Sequence, residues 1–224
     1  MEYVRSQNLL RGVPMPIRKA AEIAERYKSR DPFDIIDRRC IKLKMTHRFT
    51  DLLGYFVIKN KIHYIGVNAN APFDLQRTIA AHELGHAILH CLEAMQRGSL
   101  QDDTMLYSVV GGKMENDANL FAREFLLADE DILEPCCYDS YLETKEMIHE
   151  KVARYRTNRD KQMFEDNAWR DFFLEHPDFP SYEELAMEYA VDVHLVKFKF
   201  LSLRQKGYDM PNIPDTKSDF LRRG

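Results

Sequence analysis

Absences narrow this chain before any motif is read. Its 224 residues hold only four cysteines, Cys40, Cys91, Cys136 and Cys137, with no CxxC spacing among them. Such usage suits reduced thiols in a cytoplasmic protein, and the adjacent Cys136 and Cys137 read as ordinary thiols rather than a redox pair. No apolar run approaches the roughly 18 residues that a membrane span needs, so no membrane partner is expected. The stretch from Met1 to Tyr27 is polar, unlike a secretory leader, and Ile17 to Ala24 reads as an amphipathic helix. Excess positive charge is missing too: 32 Lys and Arg face 36 Asp and Glu, a net of −4 that indicates no polyanionic partner. Repeats and low-complexity tracts are absent. What is present is 45% apolar residues, enough for one main domain with a smaller appendage.

The most informative stretch is His82-Glu83-Leu84-Gly85-His86, inside the run Thr78 to His90. Leu75, Ile79, Leu84, Ile88 and Leu89 supply apolar positions, while Ala80, Ala81, Gly85 and Ala87 stay small, a pattern that reads as a buried helix. Asp74 is the expected N-cap. Two histidines four apart on a helix share a face, so both imidazoles can reach one metal ion. Glu83 lies at the edge of that face, where a carboxylate can take a proton from water without ligating the metal. This is the HExxH arrangement of a zinc-dependent peptidase. Two histidines and a glutamate crowded onto an otherwise apolar helix are costly to bury without a ligand. Gly85, a poor helix former, suggests that another backbone or a substrate comes close.

A catalytic zinc site has three protein ligands and an open fourth position. The extended motif with a third histidine would need glycine at 89 and histidine at 92, but the chain has Leu89 and Leu92, which excludes that class. The third ligand must lie elsewhere, and Glu115 is the best candidate. At helical period Glu115, Ala118, Asn119, Ala122 and Leu126 share one face, and the two alanines would let that helix pack closely on the first. On spacing alone, Glu115 is either a ligand or a first-turn glutamate favoured by the helix dipole.

The two segments together resemble the ImmA/IrrE metallopeptidases. That family couples an HELGHAxxH helix to a later ExEANxFAxxLL helix; this chain has HELGHAILH followed by ENDANLFAREFLL. Asp117 replaces the second acid, Ala128-Asp129 stand where a proline is usual, and Asp31-Pro32-Phe33-Asp34-Ile35-Ile36 resembles an NPFEIA-type segment upstream. Resemblance covers roughly residues 15–135. It implies that Glu115 is the third zinc ligand, beside His82 and His86, and that Glu83 is the general base. It also implies an α+β fold: a small zincin-like (minigluzincin) domain followed by a helical extension.

Local patterns fill in that outline. Asp31 and Pro32 start a short helix running to about Arg39. Ile41 to Met45 alternates as a strand, and Gly54–Ile58 and Ile62–Val67 flank Lys59-Asn60-Lys61 as a hairpin, giving a three-stranded antiparallel sheet. The second arm of the hairpin is the candidate to pair with extended substrate. Gln96 to Gly112 reads as a loop beside the cleft. Tyr107, Tyr55 and His63 are alternative second oxyanion donors. His90 reads as supporting or structural rather than ligating, and Asn119 as orienting Glu115 or satisfying a backbone group.

Beyond Pro135 the composition shifts to charged, aromatic helices. The expected division is residues 1–138 for the zincin-like domain, 139–210 for a helical extension, and 211–224 for a tail. Ser181 to Glu184 is a capping box. Residues 181–207 fit a helix-turn-helix, with Ala186 fifth, Ala190 ninth and Val196 fifteenth counted from Tyr182; Val193 to Lys206 carries Lys197, Lys199, Arg204 and Lys206. Residues 141–224 nevertheless carry 14 basic and 16 acidic side chains, which counts against a dedicated DNA-binding module. A helical pair packed on its own domain is the favoured reading there.

The expectation is thus a zinc-dependent, site-specific endopeptidase. Family resemblance implies a protein substrate, a helix-turn-helix repressor of phage or mobile-element type, whose cleavage derepresses genes. The alternatives are a non-catalytic zinc-stabilised regulator that binds a repressor or DNA through the C-terminal helices, and one partner of a toxin–antitoxin-like pair.

Overall fold

The computed structural model describes residues 13–97, 99–103, 112–211, 213 and 215. They form two compact units. The first comprises the described residues up to Leu127 together with Tyr189–Leu195; the second comprises Ala128–Glu188 and the described residues from Val196 onward.

In the first unit, α1 (Met15–Tyr27) buries Pro16, Ala20, Ile23 and Ala24 along one stripe, as its amphipathic sequence requires. Helix α2 (Pro32–Arg38) starts as expected: the Asp31 carboxylate accepts from the Phe33 amide at 3.1 Å, and Pro32 occupies the first turn. Strands β1 (Lys42–Thr46), β2 (Leu52–Lys59) and β3 (Ile62–Asn68) follow. Asn60 and Lys61 both have positive φ, 52° and 63°, which makes a tight hairpin between β2 and β3. Next come α3 (Phe73–Leu89), α4 (Cys91–Arg97), strand β4 (Ser99–Asp103) and α5 (Lys113–Leu126).

The fold is α+β, but the sheet differs from the expected three antiparallel strands. It has four strands in the order β1-β3-β2-β4, and β1 runs parallel to β3 while the other pairs are antiparallel. Alternation identified β1 as a strand without specifying its neighbour; Leu43 and Met45 remain 39% and 41% exposed, as suits an edge. Strand β4 was hidden in the expected loop because Ser99-Leu100-Gln101-Asp102-Asp103 has one apolar residue and no alternation. Backbone pairing to β2 holds it. One further consequence is that β3 is central, so the second hairpin arm has no free edge to offer a substrate.

Phe56, Ile65 and Val67 are fully buried on one face of the sheet, the face that α3 covers. Every residue of α3 from Thr78 to Ala87 is buried, so the helix is enclosed all round and lacks an amphipathic stripe. It begins two residues earlier than expected, at Phe73. Pro72 occupies the cap position, the Gln76 amide closes the first turn on the Pro72 carbonyl at 2.8 Å, and Asp74 sits inside the turn, where its charge favours the helix dipole. Helix α5 buries Ala118, Phe121, Ala122 and Phe125, and meets α3 at Ala118 and Phe121. Gly85 permits this approach: a Cβ there would lie 3.1 Å from Phe121 Cδ1 and 3.2 Å from both Cα and O of Ala118. Arg30 donates to the Glu124 and Phe125 carbonyls at 3.0 and 2.8 Å, satisfying the end of α5. Arg77, on α3, donates to the Arg30 carbonyl at 3.1 Å and to the carbonyls of Tyr189 and Ala190.

The second unit is helical. It contains α6 (Glu130–Leu133), α7 (Tyr138–Val152), α8 (Asn158–Glu175) and α9 (Tyr182–Glu188), and continues through α10 (Val193–Gln205) from Val196. Tyr141, Trp169 and Phe172 pack as an aromatic cluster between α7 and α8. The Ser181 capping box is formed: the Glu184 amide donates to Ser181 Oγ at 3.2 Å and the Ser181 amide to Glu184 Oε2 at 2.9 Å. Ala190, in the turn before α10, has φ 48°. The cations of α10, and Lys206 just beyond it, have partners within the chain. Lys199 is fully buried with Nζ 2.7 Å from Asp129 Oδ1, and Lys206 reaches the same carboxylate at 2.7 Å. Lys197 pairs with Asp215 at 2.6 Å, and Arg204 donates to the Pro211 carbonyl at 3.1 Å.

Candidate metal centre

Helix α3 places His82 and His86 one turn apart, and α5 carries Glu115 in its first turn. Three donor atoms converge there. His82 Nε2 lies 3.0 Å from His86 Nε2, and Glu115 Oε2 lies 3.2 and 3.3 Å from the two nitrogens. Donors at ordinary zinc distances around a tetrahedral ion are about 3.3 Å apart. The triangle therefore matches the spacing that one small cation would impose, and it is the one such group of His, Cys, Asp and Glu among the described residues.

Protonation states agree with that use. Burial pushes His86 down to about 4, outweighing the opposing effect of Glu115, so its imidazole is neutral near pH 7 with a lone pair available. Burial pushes Glu115 up, but hydrogen bonds with His82 and His86 outweigh it and hold the carboxyl well below the usual range. The two histidine side chains are 1% exposed and Glu115 29%, so the cluster is open on the carboxylate side.

Supporting contacts orient the donors. His82 Nδ1–H donates to Asn119 Oδ1 at 2.8 Å, leaving the Nε2 lone pair directed at the cluster. Asn119 thus serves His82, in place of the roles at Glu115 or the backbone expected for it. Its position one turn after Glu115, on the face that meets α3, was the available signal. His90 Nε2–H donates to the Met114 carbonyl at 3.1 Å, tying the end of α3 to the start of α5 one residue before Glu115. His86 Nδ1 is buried with no hydrogen-bond partner among the described residues.

Glu83 is fully buried beside the cluster, facing β2. Of the alternative oxyanion donors, Tyr55 lays its ring over Gly66 and against Phe49, on the sheet face turned away from α3. Burial and the Glu83 charge both raise its pKa. His63 packs edge-on to Phe56, with Nε2 3.8 Å from Cys91 Sγ. Tyr107 lies outside the described residues.

No helix of the described residues is long and apolar enough to cross a membrane. Comparison with known proteins supplies a relative and a family. The chain is 29% identical over 118 residues to the "Uncharacterized immunity region protein 2" of Bacillus phage phi105, an alignment spanning 52% of this chain and 72% of that protein. A family model, Peptidase M78, described as the IrrE N-terminal-like domain, matches residues 41–159, just over half of the sequence. That match takes in α3, α5 and every residue of the cluster, and the chain belongs to this family of metallopeptidases.

Proposed function

We propose that this protein is a zinc-dependent endopeptidase that cleaves a helix-turn-helix repressor and so derepresses the genes it controls. The observation carrying the reading is the convergence of His82 Nε2, His86 Nε2 and Glu115 Oε2 within 3.3 Å of one another. Two imidazoles and one carboxylate are a donor set that suits zinc, and three protein ligands are the number found in catalytic sites. Family membership supports peptide hydrolysis, and the name of the phage relative supports a setting in phage immunity.

His82, His86 and Glu115 would hold the ion. Bound zinc supplies Lewis acidity towards the scissile carbonyl and towards water. Glu83 accepts the proton of the attacking water and returns it to the leaving amine nitrogen. Asn119 keeps the His82 imidazole in the tautomer whose Nε2 faces the cluster. An extended substrate would pair with a sheet edge, and among the described residues β4, adjacent to β2, is one.

A basic repressor domain is a chemically sensible target for a chain of net charge −4. Duplex DNA is a poorer one, because Lys197, Lys199, Arg204 and Lys206 already have partners within the second unit. The test is incubation of the purified protein with the repressor encoded beside its gene, with and without a chelator. A single cleavage that the chelator abolishes and zinc restores is expected. An intact repressor in both arms would overturn the assignment.

A further inference from the structure

Glu83 is pressed against the sheet at Gly54. A Cβ built on Gly54 would lie 2.7 Å from Glu83 Oε1 and 3.1 Å from Glu83 Cγ, and 2.6 Å from Ile79 Cγ2. Real Cβ atoms essentially never come within 3.0 Å of another heavy atom, so any side chain at 54 would require Glu83 or Ile79 to shift.

Strand β2 is fixed at this place from three directions. Gly54 pairs with Val67 of β3 on one side and Asp102 of β4 on the other. Between Leu52, which faces Asp103, and Gly54, which faces Asp102, one residue is extra, a β-bulge centred on Leu53. Bulges re-aim the residues beside them and are common next to active sites. Immediately after Gly54, the Tyr55 ring closes over Gly66, where a Cβ would lie 2.0 Å from the ring, so the strand is pinned from its far face as well.

We infer that Gly54 is a positioning residue: the bulged, pinned backbone forms the wall against which the Glu83 carboxylate is set, one residue from the ligand His82. The inference rests on the peptidase reading for its consequence, while the contact itself can be judged without substrate. A side chain at 54 would push Glu83 from its place, and a displacement of about 1 Å in a catalytic group can cost on the order of a hundredfold in rate.

The test is a double-mutant cycle on the zinc-loaded full chain, comparing thermal midpoints of wild type, Gly54→Ala, Glu83→Ala and the double variant. Gly54→Ala is expected to lower the midpoint, and adding Glu83→Ala to recover much of the loss. A parallel double variant, Gly54→Ala with Ile79→Ala, separates the two neighbours. Recovery from trimming Ile79 but not Glu83 would make the glycine a packing requirement of the core and overturn the inference, as would strictly additive shifts. If Gly54→Ala alone does not fold, the same comparison is made on which double variant folds; rescue by Glu83→Ala supports the inference, and rescue by neither contradicts it. With the repressor as substrate, Gly54→Ala is expected to lower kcat about a hundredfold with KM nearly unchanged, and Glu83→Asp to restore part of kcat only in the Gly54→Ala background. Equal kcat in Gly54→Ala and wild type would overturn the positioning role. Failure of wild type to cleave would count against the peptidase reading and leave the midpoint cycle to decide the contact.

Discussion

Asn119 Oδ1 stands 2.8 Å from His82 Nδ1, across the contact between the two helices that supply the candidate ligands. The bond makes α5 contribute twice, once through Glu115 and once through the tautomer of a histidine on α3. Hydrogen-bonded partners of metal-binding histidines typically change affinity 10- to 100-fold when removed. Asn119→Ala is therefore expected to weaken zinc binding by about that factor, read by competition with a chromophoric chelator, while Asn119→Asp, which keeps the acceptor, should stay near wild type. Equal affinity for all three would show that the bond does nothing for the metal.

Gly85 sets how closely α3 and α5 can approach. With a Cβ position 3.2 Å from the Ala118 backbone and 3.1 Å from Phe121, Gly85→Ala requires α5 to give way by a few tenths of an ångström, and this spread is expected to outweigh the better helix propensity of alanine. Overpacking of this kind costs about 1–3 kcal/mol, and the spread also draws Glu115 from the histidines. The expected outcome is a lower urea midpoint together with weaker zinc binding. A midpoint at or above that of wild type would contradict the packing described.

In the second unit, Asp129 carries the charge balance of buried Lys199. Asp129→Ala removes the carboxylate 2.7 Å from that buried ammonium, and breaking such pairs destabilises by about 3–5 kcal/mol. The double variant with Lys199→Met is expected to recover most of it; equal loss in the single and double variants would argue against the pair.

The same contact gives a pH dependence. Burial raises the pKa of Asp129, but Lys199 and Lys206 outweigh it and hold the folded value below that of the unfolded chain. On acidification the unfolded state binds this proton first. The stabilisation is therefore present above the unfolded aspartate value, about 3.9, and is lost as pH falls through the lower folded value. Urea midpoints between pH 6 and pH 2 are expected to fall less steeply at the acid end in Asp129→Asn than in wild type. Parallel profiles would contradict the linkage.

The elements most legible in the sequence were those with a local chemical signature. The HELGH helix, the Asp31-Pro32 helix start and the Ser181 capping box are each written in neighbouring residues. Spacing leaves Glu115 either a ligand or a first-turn glutamate, and it is the family resemblance of the two linked motifs that points to its place beside the histidines. Features decided by distant backbone were not legible. Strand β4 is polar and exists through its ladder with β2, β1 chose β3 as a parallel neighbour, and Pro72 displaced Asp74 from the cap. The sequence favours a packed helical pair over a DNA-binding one at residues 181–207, but the acidic partners Asp129 and Asp215 of Lys197, Lys199 and Lys206 are distant or local contacts that it does not specify. Gly54 carried no sequence signal at all, since its meaning lies in a carboxylate 29 positions away.

The most direct measurement is zinc content per chain, by plasma mass spectrometry after exhaustive dialysis, for wild type, Glu83→Gln, His86→Ala and Glu115→Ala. About one ion is expected in wild type and in Glu83→Gln, with His86→Ala and Glu115→Ala empty or strongly depleted. Full occupancy in Glu115→Ala, or none in wild type, would contradict a metal held by this triad.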